Sequence, residues 1–251
     1  MKIRYLLTVP QKYDAYCFGS SRVGNIDLTK INDGHSYYNM TYSAGVPEEW
    51  LHDLQILLRH NVSVKKVLLG IDDFSFRENP KAHESQTLRL PYRDDGNFRT
   101  YISVLLKQPS LTPFVSDKSS IFDIYGTGRP LHDAPDIKIE QDVAAHINDS
   151  KFSIPSHASG YYLKETIDAL NSIKELCAER DIELIVFFNP IHKTTYLYNN
   201  LDELNEFKSQ LANITAYYDF SGLNKITTSL QLLSSIIPAL DHITQYAKNF
   251  G

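Results

Sequence analysis

Short apolar segments alternate with helical patterns along this chain, and that alternation limits the folds open to it. Apolar side chains at helical spacing separate several of the segments, as in the helix predicted to begin near Pro47. The segment 182–188 ("IELIVFF") is apolar almost throughout, which is typical of a strand covered on both faces. The pattern predicts a parallel sheet with helices on both faces. The five predicted strands are 13–18, 37–41, 66–70, 182–188 and 216–219.

A long interval separates the third and fourth predicted strands. Residues 77–160 show no clear apolar period and are rich in Pro, Asp, Tyr and Arg. A connection of that length inside a compact domain is usually functional or forms a small subdomain. We therefore expect a single domain over residues 1–251, with 77–160 as an insertion that caps one end of the sheet.

Composition excludes several classes of partner and site. The net charge is −5 and no run of Lys or Arg stands out, which argues against nucleic acid as a partner. Two cysteines, Cys17 and Cys177, form neither a disulfide framework nor a metal site, and the nine histidines show no HExxH or similar cluster. No segment approaches the ~20 apolar residues of a membrane span, and no signal peptide is recognisable. These features do not determine the cellular compartment of the protein.

Polar or glycine-bearing segments follow each predicted strand. The first strand leads into Gly19-Ser20-Ser21-Arg22, which neither continues a strand nor resembles an ordinary surface turn. In open parallel sheets, ligands bind outside the carboxyl ends of the strands. The sequence therefore predicts a site at that edge, and the segments after the other four strands are 42–45, 70–76, 189–192 and 219–224.

The segment after the first strand resembles the nucleophile block of the SGNH-hydrolase superfamily. It is most similar to the branch with Gly-Ser-Ser, which includes relatives of the D-alanyl transfer protein of teichoic-acid assembly and envelope polysaccharide O-acyltransferases. Further phrases in matching order are "YNMTYSAG", "LLGIDDFSF", "FFNPIH", "YDFSG" and "DHITQYAKNF". The resemblance covers about residues 12–80 and 182–250. It implies an SGNH-type, flavodoxin-like fold with three α/β/α layers and a parallel sheet in the strand order 2-1-3-4-5.

The resemblance assigns catalytic roles to individual positions. Ser21 corresponds to the nucleophile, whose hydroxyl would attack an ester or thioester carbonyl and form an acyl-enzyme. His242 corresponds to the C-terminal histidine that removes the hydroxyl proton. The backbone N–H groups of Ser21 and Gly45 would stabilise the oxyanion, with the Asn39 side chain as a further donor.

Two positions depart from the family's pattern. The family has an acidic residue three positions before its histidine, but position 239 is alanine. Asp241 is adjacent to His242, so either local geometry lets it orient the ring, or Asp219 does so, or catalysis is impaired. The family's third block carries Asn as an oxyanion donor, whereas this chain has Asp72, and an ionised carboxylate cannot donate.

Each polar residue at this edge also has a structural interpretation. Arg22 can pack a loop, Asp72 can close a strand end, and the hydroxyls of Ser20 and Ser21 can cap a helix turn. His192 can be a rival base or a hydrogen-bonded structural histidine. The residues that we assign to substrate binding are Arg22, Asp72, His192 and Asp219.

These observations lead to two expected functions. The first is acyl transfer or ester hydrolysis on an acylated carbohydrate or cell-envelope polymer, with a membrane acyltransferase as a further partner. This chemistry requires no metal and no organic cofactor, so we expect neither. The second is a catalytically inactive SGNH-like protein that binds a glycan or an envelope partner. The resemblance implies an extracytoplasmic location, with any anchor lying outside these 251 residues.

Overall fold

A computed structural model describes residues 2–81, 121–131, 160–191 and 193–224 of the chain. The strands in these ranges are β1 (Ala15–Phe18), β2 (Tyr37–Asn39), β3 (Lys66–Ile71), β4 (Ile121–Phe122), β5 (Pro130–Leu131), β6 (Glu183–Phe188) and β7 (Tyr218–Asp219). The α-helices are α1 (Lys2–Thr8), α2 (Ser21–Gly24), α3 (Pro47–Arg59), α4 (Leu163–Glu179), α5 (Lys193–Tyr198) and α6 (Leu201–Ile214). A short 3-10 helix spans Leu28–Lys30.

Five strands form one parallel sheet in the order β2-β1-β3-β6-β7. This order confirms the predicted 2-1-3-4-5 arrangement and the α/β/α fold class. β3 lies at the centre and pairs with β6 over six residues, from Lys66 opposite Glu183 to Ile71 opposite Phe188. All six residues of β3 are buried, as a strand covered on both faces requires.

Alternate residues of the strands enter two separate cores. Tyr16 and Phe18 of β1 pack with α3 and α4 on one face, whereas Ala15 and Cys17 pack on the other face. The second face is covered by the segment after β1, through Val23 and its neighbours. Helix-bearing layers on both faces explain why the strand sequences are apolar without a period of two.

Four strands are shorter than predicted: β1, β2 and β7 by two residues each, and β6 by one residue. β2 ends at Asn39, where the Asn39 side-chain oxygen accepts a hydrogen bond from the Thr41 backbone N–H at 3.0 Å. Beyond that point the Met40 and Tyr42 backbone N–H groups still donate to Cys17 O at 2.8 Å and to Gly19 O at 3.2 Å. β7 contains only Tyr218 and Asp219, because α6 continues to Ile214 and the following residues connect it to the sheet.

α3 begins at the predicted Pro47. Val46 precedes it in an extended conformation, and the Val46 backbone N–H donates to the Glu49 carboxylate at 3.3 Å. The negative charges of Glu48 and Glu49 in the first turn interact favourably with the positive end of the helix dipole. The helix buries Trp50 and neighbouring apolar residues against the sheet, which fixes the position of the loop after β2.

The described part of the predicted insertion is a two-stranded antiparallel hairpin, β4–β5. It lies beside β2 at the edge of the main sheet: the Asn39 backbone N–H donates to Thr127 O at 2.8 Å, and Tyr38 Oη donates to Ile124 O at 2.9 Å. The hairpin thereby covers an edge that would otherwise expose unpaired backbone groups. The remainder of 77–160 lies largely outside the described residues, so the cap remains a prediction.

In the described ranges, no helix has both the length and the apolar character that a membrane crossing requires.

Candidate functional site

A sharp corner follows β1 and presents the two serines differently. Gly19 has φ +157°, and a Cβ there would lie 2.5 Å from Val23 Cγ2, so the corner requires glycine. Ser20 is fully buried and caps α2, its Oγ accepting from the Arg22 backbone N–H at 3.1 Å. Ser21 is the first residue of α2 and is exposed. The capping interpretation therefore applies to Ser20, and the Ser21 hydroxyl is not used by the cap.

Arg22 is held by the loop that follows β3. Its Nη1 donates to Asp73 Oδ1 at 2.6 Å and lies 3.5 Å from Asp72 Oδ1. Its guanidinium carbon lies 5.1 Å from the centre of the Phe74 ring. These contacts agree with the interpretation of Arg22 as a residue that packs a loop. Its assignment to substrate binding stays a prediction.

Asp72 is a fully buried carboxyl group at the end of β3. Its Oδ1 accepts from Asn189 Nδ2 at 2.9 Å. Its Oδ2 is buried without a hydrogen-bond partner among the residues that the structure describes. Burial raises the pKa of Asp72, although the Arg22 charge opposes that shift. The Asp72 carboxyl group therefore keeps its proton to a higher pH than a solvent-exposed aspartic acid does.

The two further oxyanion donors expected from the sequence have partners within the protein. The Gly45 backbone N–H donates to Tyr42 O at 3.2 Å. Gly45 also packs tightly against the corner, because a Cβ there would lie 2.6 Å from Gly19 O. Asn39 Nδ2 donates to Gly24 O at 3.1 Å, which ties β2 to the end of α2. The structure thus places both residues beside the corner, and their oxyanion roles stay predictions.

Asp219 lies at the far edge of the sheet, on β7. Its Oδ2 accepts from Lys208 Nζ at 3.0 Å, and its Oδ1 accepts from the Ser221 backbone N–H at 2.9 Å. The carboxylate is therefore occupied by its own loop and by α6. Its expected roles in orienting the histidine or binding substrate remain predictions.

The histidines of the predicted site lie outside the described residues. This applies to His192 and to His242, as well as to Asp241 and position 239. The pairing of Ser21 with a base is thus untested by the described geometry.

A residue that sequence reasoning missed completes the polar cluster. Asn199, between α5 and α6, donates from Nδ2 to Asp73 Oδ2 at 2.8 Å. The sequence marks Asn189 only as part of a segment after a strand, and the structure shows it buried, with its side-chain amide donating to Asp72. No sequence pattern links Asn199 to a residue 126 positions away. The rule that binding residues follow the carboxyl ends of parallel strands predicts the position of Asn189 but not its bond to Asp72.

The described residues contain no group of three or more His, Cys, Asp or Glu side chains arranged to hold a metal ion.

Comparison with known proteins found no matching family model and no matching curated protein. The geometry of the corner and of the Asp72–Asp73 loop is therefore the basis for the functional argument.

Proposed function

We propose that this protein transfers or hydrolyses acyl groups through an acyl-enzyme on Ser21, acting on an acylated carbohydrate or cell-envelope polymer. The observation that carries the proposal is the division between the two serines: Ser20 is buried as the helix cap, whereas Ser21 is exposed at the carboxyl end of β1. Ligands of open parallel sheets bind at that end.

The proposed chemistry needs a base and a stabilised oxyanion. The Ser21 oxygen attacks the ester carbonyl while His242 accepts the hydroxyl proton, which then passes to the departing alcohol. The acyl group is next transferred to water or to an acceptor hydroxyl, and Ser21 recovers its proton. The Ser21 backbone N–H is the first oxyanion donor in this scheme. Gly45 can contribute only if its N–H turns from Tyr42 O toward the substrate.

Ser21→Ala and His242→Ala test this mechanism on a panel of acetylated sugars and activated acetate esters. Each variant is expected to lower kcat/KM by roughly 10³-fold or more, because nucleophile and base act as one unit. Ser172→Ala is the matched control, since this half-buried serine on α4 donates from Oγ to Asp168 O of its own helix at 2.9 Å. A folded Ser21→Ala protein with full esterase activity would overturn the proposal.

A second candidate function is binding without catalysis. It is favoured by the engagement of the two expected donors, Gly45 with Tyr42 O and Asn39 with Gly24 O, and by a carboxyl group at position 72. Under this alternative, calorimetry would detect binding of an acetylated oligosaccharide, Ser21→Ala would bind equally well, and no ester would be consumed. Turnover that depends on Ser21 would exclude it.

A further inference from the structure

The residue that follows Ser21 is attached to the loop that follows β3. Arg22 Nη1 donates to Asp73 Oδ1 at 2.6 Å and lies 3.5 Å from Asp72 Oδ1. The Arg22 guanidinium also faces the Phe74 ring at 5.1 Å. The whole of α2 is only four residues long, so its internal hydrogen bonds stabilise it weakly. Its orientation therefore depends on these contacts with the neighbouring loop.

Asp73 receives a different donor on each of its two oxygens. Arg22 Nη1 bonds to Oδ1, and Asn199 Nδ2 bonds to Oδ2 at 2.8 Å. The Asp73 side chain is only 7% exposed, so water competes little for these bonds. Asn199 is itself fixed, because its backbone N–H donates to Tyr196 O at 3.2 Å. A continuous chain of contacts thus runs from the α5–α6 junction through Asp73 to the residue after Ser21.

We propose that Asp73, supported by Asn199, is a positioning residue that sets the orientation of Ser21 through Arg22. This inference rests on the proposed function, in which Ser21 is the nucleophile. Asp73 touches neither substrate nor the reacting atoms. Asp73 instead increases the fraction of time that the Ser21 hydroxyl spends in an orientation from which it can react.

The side-chain chemistry explains why a carboxylate is needed at position 73. Arg22 and the Asn199 amide nitrogen both donate, so the residue between them must accept at two oxygens. Asparagine has one accepting oxygen, so Asp73→Asn must lose one of the two contacts. In the double variant Asp73→Asn with Asn199→Asp, the oxygen at position 73 can accept from Arg22 while its amide donates to the carboxylate at position 199. The swap restores both contacts and leaves the net charge as it is in the wild type.

The test compares the rate at which a fluorophosphonate probe labels Ser21 in the full chain. We expect Asp73→Asn to label about tenfold more slowly or worse, since small errors in position cost large factors in rate. The swapped double variant is expected to recover most of the wild-type rate. The control is Asp33→Asn at the amino ends of the strands, where Asp33 Oδ2 accepts from Lys66 Nζ at 2.9 Å. It should lower the melting temperature without slowing labelling.

Two results would overturn the inference: wild-type labelling of Asp73→Asn, or a double variant that reacts no faster than Asp73→Asn. If the wild-type protein is not labelled at all, the proposed function fails instead. Amide hydrogen exchange over residues 20–24 then decides the positioning claim on its own. Faster exchange in Asp73→Asn, reversed in the double variant, supports it, and unchanged exchange refutes it.

Discussion

The buried carboxyl of Asp72 predicts a substitution that should not destabilise the protein at neutral pH. Asp72→Asn keeps an oxygen to accept from the Asn189 amide, which now lies 2.9 Å from Oδ1. It replaces Oδ2, which has no hydrogen-bond partner in the described part of the chain, and it removes a buried negative charge. Arg22 loses only a 3.5 Å contact and keeps its 2.6 Å bond to Asp73.

The size of the effect follows from the unsatisfied oxygen. A buried polar group without a partner costs about 1–3 kcal/mol, and an amide at the same place recovers part of that cost by carrying no charge. We therefore expect Asp72→Asn to be more stable than the wild type by about 1 kcal/mol at pH 7. For a chain of 251 residues, this corresponds to a rise in Tm of about 2–4 °C.

The difference should depend on pH in a defined direction. Burial raises the pKa of Asp72 in the folded state above its ordinary value of 3.8. Below that ordinary value, both folded and unfolded chains hold the proton, so the wild type carries no penalty. As the pH rises from about 3.8 to the folded-state pKa, the wild type loses stability relative to the variant. Above that pKa the difference is constant.

Urea unfolding followed by the fluorescence of the single, buried Trp50 measures this difference between pH 4 and 8. Asp73→Asn is the matched control at the adjacent carboxylate, and it should be less stable than the wild type because it loses a paired contact. The reasoning is refuted if Asp72→Asn is clearly less stable at pH 7, or if its advantage does not shrink toward pH 4.

Other substitutions test the packing that supports the site. Burial lowers the pKa of Lys2 to about 7 from 10.5, so wild-type stability should rise from pH 7 to 9, and urea unfolding of Lys2→Met should show no such rise. Gly70→Ala should cost about 1–3 kcal/mol in the same assay, since its Cβ would lie 2.4 Å from Val23 Cγ2. A stable Gly70→Ala protein would contradict that packing. Phe207→Ala should cost about 3–5 kcal/mol, because this ring is fully buried and lies 4.8 Å from the ring of Phe76. A loss below 1 kcal/mol would show that the contact is not formed.

The sheet was predictable because its signal is local. A strand of a parallel sheet is buried on both faces, so its sequence is a continuous apolar run such as 182–188. Each run therefore indicates both a strand and the kind of sheet to which it belongs. Pro47 likewise indicates the start of α3, because proline suits the first helical turn whatever lies elsewhere in the chain. Strand ends were less predictable, since β2 ends at Asn39, two residues before the end that the sequence pattern indicates.

The site was only partly predictable, because its contacts join distant positions. The strand-end rule brought Ser21, Arg22 and Asp72 to one edge of the sheet. It could not tell which of two adjacent serines caps the helix, since that choice depends on which hydroxyl is buried. It also gave no sign of Asn199, whose contact with Asp73 depends on how the α5–α6 junction packs.

The most direct measurement is covalent labelling of the folded 251-residue chain by a fluorophosphonate, followed by mass spectrometry of its peptides. The account predicts one added group per molecule, located on Ser21 and not on Ser20, and no labelling of Ser21→Ala. A correctly folded wild-type protein that remains unlabelled, or carries the group on another serine, would contradict the claim that Ser21 is the nucleophile.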